Sequence, residues 1–147
     1  MVVETSLDVS PEDFFSVLVQ SVAQEIGAAT GKDPEHVRVR SGLKFKRELR
    51  NYGGNAVEVK AEIVELTPQQ AMTIAYRAPD GKTTISYQIE QADQGSRVRY
   101  SESYSNASTF NALNHKILQL FFQFSAKRRV RQRLNEMARY INARVEQ

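Results

Sequence analysis

The chain has no cysteine, which removes disulfides, thiolate metal sites and cysteine nucleophiles and is compatible with a reducing cytoplasm. Histidine is nearly as scarce. His36 and His115 are the only two, and neither has an acidic or metal-binding companion at useful spacing, so neither is given a catalytic or metal role. No serine nucleophile elbow, phosphate-binding loop or dinucleotide fingerprint occurs. No apolar run approaches the ~20 residues needed to cross a bilayer, and MVVETSLDVS lacks a basic segment followed by an apolar one. The expectation is a cytoplasmic protein with no cofactor, metal, transmembrane segment or recognisable catalytic motif, leaning away from an enzyme.

What is present is the composition of a folded domain: 147 residues, 41% hydrophobic and 25% charged. Without a repeat or a low-complexity linker, one domain over residues 1–147 is expected. The net charge of +3 is unevenly placed. From Lys116 onward eight Lys or Arg face only Glu136 and Glu146, whereas the chain before Lys116 carries 12 basic and 15 acidic residues. Basic character belongs to the C-terminal segment, where KRRVRQR spans Lys127 to Arg133.

Periodicity orders the elements. Val3, Leu7 and Val9 alternate with Glu4, Ser6 and Asp8 as in a half-buried strand. SPEDFF then supplies a capping Ser10, Pro11 in the first helical position and Asp13 three residues after the cap. Phe14, Phe15, Leu18, Val19, Val22 and Ile26 recur at helical spacing up to Gly27, with Gly31 and Pro34 closing a region that reads as one helix or two short ones. Period two returns at Leu43, Phe45, Arg47 and Leu49. NYGGN (51–55) marks a turn, and strands are expected over Ala56–Leu66, Ala71–Ala78, Thr83–Gln91 and Arg97–Ser105, the middle two joined at PDGK. After Ser108, a plausible cap, no Gly or Pro interrupts a helical pattern to the end, which predicts one long helix. An antiparallel sheet with helices to one side defines α+β.

The order of strand, SPEDFF, short helices, five strands and long helix resembles the START-like or Bet v 1-like superfamily of helix-grip proteins, which includes polyketide cyclases. The aromatics followed by KRRVRQR are also similar to a small bacterial branch of that superfamily without an assigned function. The resemblance covers essentially the whole chain and implies a curved sheet of about six strands gripping the C-terminal helix. It further implies a cavity between them that takes small hydrophobic or amphipathic ligands. A cyclase- or hydratase-type enzyme using that cavity, and an interaction module using the basic helix, are the alternatives, and fold does not choose among them.

Several residues bear on such a cavity. On the long helix Leu113, Ile117, Leu120, Phe121 and Phe124 form one stripe, which is either core or ligand wall. Leu118 and Phe122 fall off it and suggest a homo-oligomer contact. Arg47 and Glu102 lie on strand faces assigned to the core, where a lone charge needs a partner or water. Glu102 has Arg47, Arg128 and Arg131 as potential partners, and a structural pair or a polar pocket end satisfies the requirement equally. Phe45, Ile74, Tyr76, Tyr87, Tyr100 and Tyr104 complete the ligand-binding set on the strands. Projection of KRRVRQR spreads its cations round the helix, with Arg129 and Arg133 away from the sheet. Nucleic acid is therefore an unlikely partner, since a phosphate track needs cations engaged together.

Overall fold

The computed structural model describes residues 1–50, 56–79, 81–106 and 127–144. Six strands form one antiparallel sheet: β1 (Val2–Leu7), β2 (Lys44–Arg50), β3 (Ala56–Thr67), β4 (Ala71–Ala78), β5 (Gly81–Gln91) and β6 (Ser96–Asn106). Their spatial order, β1-β6-β5-β4-β3-β2, places the two earliest strands at opposite edges. The chain reaches the far edge through helix α1 (Pro11–Thr30) and a 3-10 turn, Pro34–His36.

The start of α1 follows from local chemistry. The Asp13 amide donates to Ser10 Oγ at 3.1 Å, and Pro11 occupies a position where its missing N–H costs nothing. Phe14, Leu18, Val22 and Ile26 recur every fourth residue and are buried. The spacing allows one helix or two short ones and the resemblance implies two; the structure shows one of 20 residues followed by the 3-10 turn. Gly27 does not stop it, because it lies buried in the last turn with the returning chain at Lys32 and Pro34 packed over it. The stop is Gly31, which has a left-handed φ of 77° and donates its amide to Gly27 O at 2.8 Å.

Strand registers carry the expected alternation into three dimensions. Across one face, Phe45 pairs with Ala61, Ala61 with Tyr76, Ile63 with Ile74, Ile74 with Ile85 and Tyr87 with Tyr100. The opposite face presents cross-strand charges, with Lys44 opposite Glu62 in register and Lys46–Glu58 and Glu4–Arg99 each at 3.8 Å. A bulge between Ile63 and Glu65 disturbs the β3–β4 ladder and turns Val64 outward, a device that bends a strand.

A second helix, α2 (127–144), buries Val130, Leu134, Ala138 and Ile141 in the same cluster as Phe14, Leu18 and Val22 of α1 and Val3, Ile63, Met72 and Val98 of the sheet. Sheet and helices share one core, the arrangement that the helix-grip resemblance implies. Apolar burial of this kind supplies roughly 25 cal/mol per Å² removed from water, so the core, not the surface ion pairs, carries the stability. The NYGGN turn, Ser108, His115, the stripe from Leu113 to Phe124 and the off-stripe Leu118 and Phe122 lie outside the described residues. Among the described residues no helix is long and apolar enough to cross a membrane.

Candidate functional site

Arg47 projects from the core face of β2, a position that demands a partner. That partner is Glu25, on α1 beside the buried Ile26, and the Arg47 guanidinium donates to Glu25 Oε1. Tyr76 of β4 donates its hydroxyl to the same oxygen at 3.1 Å, and Arg47 stands over the Tyr76 ring at 5.9 Å. The side chains of Arg47 and Glu25 keep 30% and 24% of their exposure, so the pair retains contact with water and avoids the full cost of burial. Desolvation, reinforced by the Glu25 charge, holds the Tyr76 phenol well above its ordinary value of 10.0. It therefore serves as a neutral hydrogen-bond donor.

Next to this triad α1 and β2 leave an open groove of about 870 Å³, lined by Ser21, Gln24, Ala28 and Ala29 on the helix and Lys46, Arg47 and Glu48 on the strand, with Glu25 and Glu58 completing it. Its walls are polar or small. Tyr76 on β4 and Ile85 and Tyr87 on β5 are partly buried against the core and stand outside this lining. Such a lining offers hydrogen-bonding and charged groups, with room left by Ala28 and Ala29, to the polar part of a small molecule.

A second cluster lies across the sheet. Tyr100 donates to Glu102 Oε2 at 3.0 Å and meets Tyr87 edge-on with ring centroids 5.2 Å apart. Burial first, then the Glu102 charge, raises the Tyr100 pKa, and burial likewise raises that of Tyr87. The Arg133 guanidinium opposes the rise at Tyr87, where the Glu25 and Glu102 charges are also felt. Tyr87 thus stands electrostatically between the two clusters.

The expected site residues are distributed unevenly. Phe45, Ile74 and Tyr100 are packed in the core at 7%, 4% and 3% exposure, while Arg47 and Tyr76 meet through Glu25. Tyr104 lies against Gly81 of β5. Phe121 and Phe124 lie outside the described residues. Arg128 and Arg131 are exposed, and neither reaches Glu102. The expected partnership of Glu102 with Arg47 is also not formed, because Glu25 takes Arg47 and Tyr100 takes Glu102.

Arg133 corrects a further expectation. It was projected away from the sheet, yet its charge acts on Tyr87 and Tyr100. The buried stripe of α2 runs through Val130 and Leu134, so position 133 borders it, and an arginine stem is long enough to return its head toward the sheet. Glu25 is the functional candidate that pattern reading missed. In α1 it is the only carboxylate beyond the first turn, a weak signal that does not name Arg47 as its partner.

The six-stranded antiparallel sheet, with a helix after its first strand and a C-terminal helix packed in the same core, defines the Bet v 1-like helix-grip fold. More narrowly, the chain belongs to the family described as "Domain of unknown function (DUF3284)", whose model matches residues 1–123. Solved structures agree on the fold. SA2116 from Staphylococcus aureus, a protein of unknown function, is 13% identical with a TM-score of 0.67, covering 100% of this chain and 95% of that one. MLL2253 from Mesorhizobium loti is 16% identical with a TM-score of 0.60, covering 98% and 96%. Ara h 8.0201, of the Bet v 1 family, is 12% identical with a TM-score of 0.59, covering 97% of each chain. No curated protein matches.

Proposed function

We propose that this protein binds a small amphipathic molecule in the groove between α1 and β2, with Glu25, Arg47 and Tyr76 meeting its polar part. The observation that carries this reading is the placement of a partly exposed ion pair on the wall of an open groove of about 870 Å³, with the neutral Tyr76 phenol bonded to it from behind the wall. A purely structural pair gains nothing from facing such a space, whereas a ligand gains donors and acceptors already held in place. The apolar part of the ligand extends from Arg47 toward the Tyr76 ring, 5.9 Å from the guanidinium. The phenols of Tyr76 and Tyr100 have raised pKa values, which suits hydrogen bonding better than proton transfer near neutrality and favours binding over cyclase or hydratase chemistry.

The test is native mass spectrometry on protein purified gently from its own host. A discrete added mass that is lost on denaturation supports the reading. A homogeneous apo mass, together with no added mass after exposure to a host small-molecule extract, contradicts it.

A further inference from the structure

The cations of α2 are not absorbed by the groove. Arg128, Arg129, Arg131, Arg133, Arg139 and Arg144 are all exposed, and Glu136 is the only acidic residue among the described residues of this helix. Among the described residues, no ion pair engages Arg128, Arg129 or Arg139. At about 100° per residue these three, with Glu136 among them, fall on the side of α2 opposite Val130, Leu134, Ala138 and Ile141, which are held in the core, so this side carries three arginines against one carboxylate. Tyr140 sits on the same outward half at 52% exposure, with Arg144 stacked at 5.7 Å from its ring centroid.

We infer that the outward face of α2 docks on an anionic membrane surface. Charge complementarity gives the attraction, since a cytoplasmic-leaflet type of surface rewards each nearby Lys or Arg by about 1 kcal/mol, or roughly fivefold in affinity. The acidic balance of the chain before Lys116 turns the rest of the molecule away and orients this face. An exposed tyrosine among arginines suits the headgroup region, where amphipathic rings collect. Shape separates this partner from a nucleic acid. A reading helix must enter a major groove about 12 Å wide, but α2 is held along its opposite side by the sheet and offers only its outer surface. A flat surface accepts that face and a groove does not.

The experiment is co-sedimentation of the whole protein with vesicles of phosphatidylcholine alone and of equimolar phosphatidylcholine and phosphatidylserine, at low and at moderate salt. Binding is expected only with phosphatidylserine and should fall as salt rises. R128Q/R129Q/R139Q should bind at least about tenfold more weakly, while R128K/R129K/R139K, which keeps the charge, should bind as the parent does. Four outcomes overturn the inference: no sedimentation at low salt, an unaffected glutamine variant, a lysine variant as weak as the glutamine one, or tighter binding to a nucleic-acid duplex than to the mixed vesicles.

Discussion

Arg47 of β2 and Glu25 of α1 form an ion pair that ties the first helix to an edge of the sheet, and Tyr76 of β4 closes it from the neighbouring side. The relationship serves two ends. It neutralises a charge on the core face, and it fixes two charged groups on the wall of a groove.

Replacement of Glu25 separates these ends energetically. Glu25→Gln leaves Arg47 without its anion and is expected to cost about 1–2 kcal/mol, below the range for a fully buried pair because both side chains retain contact with water. Urea denaturation of Glu25→Gln, Arg47→Gln and the double variant should give a coupling energy near ~1 kcal/mol. Additive effects would show that the pair contributes nothing.

Much of this frame was legible beforehand, and the reasons are physical. The period-2 runs around Ile74, Tyr87 and Tyr100 survive as registered neighbours because a one-residue slip would turn a whole apolar face outward. Ser10 and Pro11 announce α1 because capping is a short-range interaction. Glu25 was not legible in the same way, since its role depends on meeting Arg47, 22 residues away in sequence. Its position on the helix differs little from that of Gln24 until the sheet is in place. Arg133 illustrates the complementary failure: an exposed position next to the buried Leu134 carries no local sign that a long stem brings its charge toward Tyr87.

High pH should expose the cost of ionising the buried phenols. Tyr76, Tyr87 and Tyr100 all have folded-state pKa values raised above the ordinary 10.0, chiefly by burial. The folded chain therefore holds protons that the unfolded chain releases. Their contribution is fully present below pH about 10 and is lost as pH climbs from there toward the folded-state values. Thermal midpoints measured across that window should fall for the parent and fall less for Tyr100→Phe. Equal slopes would contradict the assignment.

Gly95 is a point where backbones meet. Its φ is +76°, and a side-chain carbon there would lie 2.0 Å from the Leu7 carbonyl oxygen. Gly95→Ala should destabilise the protein by about 2 kcal/mol or more by forcing β1 away from the β5–β6 turn. A change within ~0.5 kcal/mol in urea denaturation would count against that close approach.

The neighbouring Ser96 makes the opposite prediction. Its hydroxyl is fully buried and has no hydrogen-bond partner among the described residues. Ser96→Ala removes that unsatisfied group and is expected to leave stability unchanged or raise it by up to about 1 kcal/mol. A loss of more than ~1 kcal/mol would reveal a hydrogen bond to the hydroxyl.

The most direct test of ligand binding is native mass spectrometry of the parent and of Ala28→Trp/Ala29→Trp, each purified from the host. Ala28 and Ala29 are exposed on the groove wall, so two indoles there fill the space without entering the core. The parent should carry a small-molecule mass that the filled variant lacks, at similar thermal stability. The same added mass on both proteins, or on neither, would contradict binding in this groove.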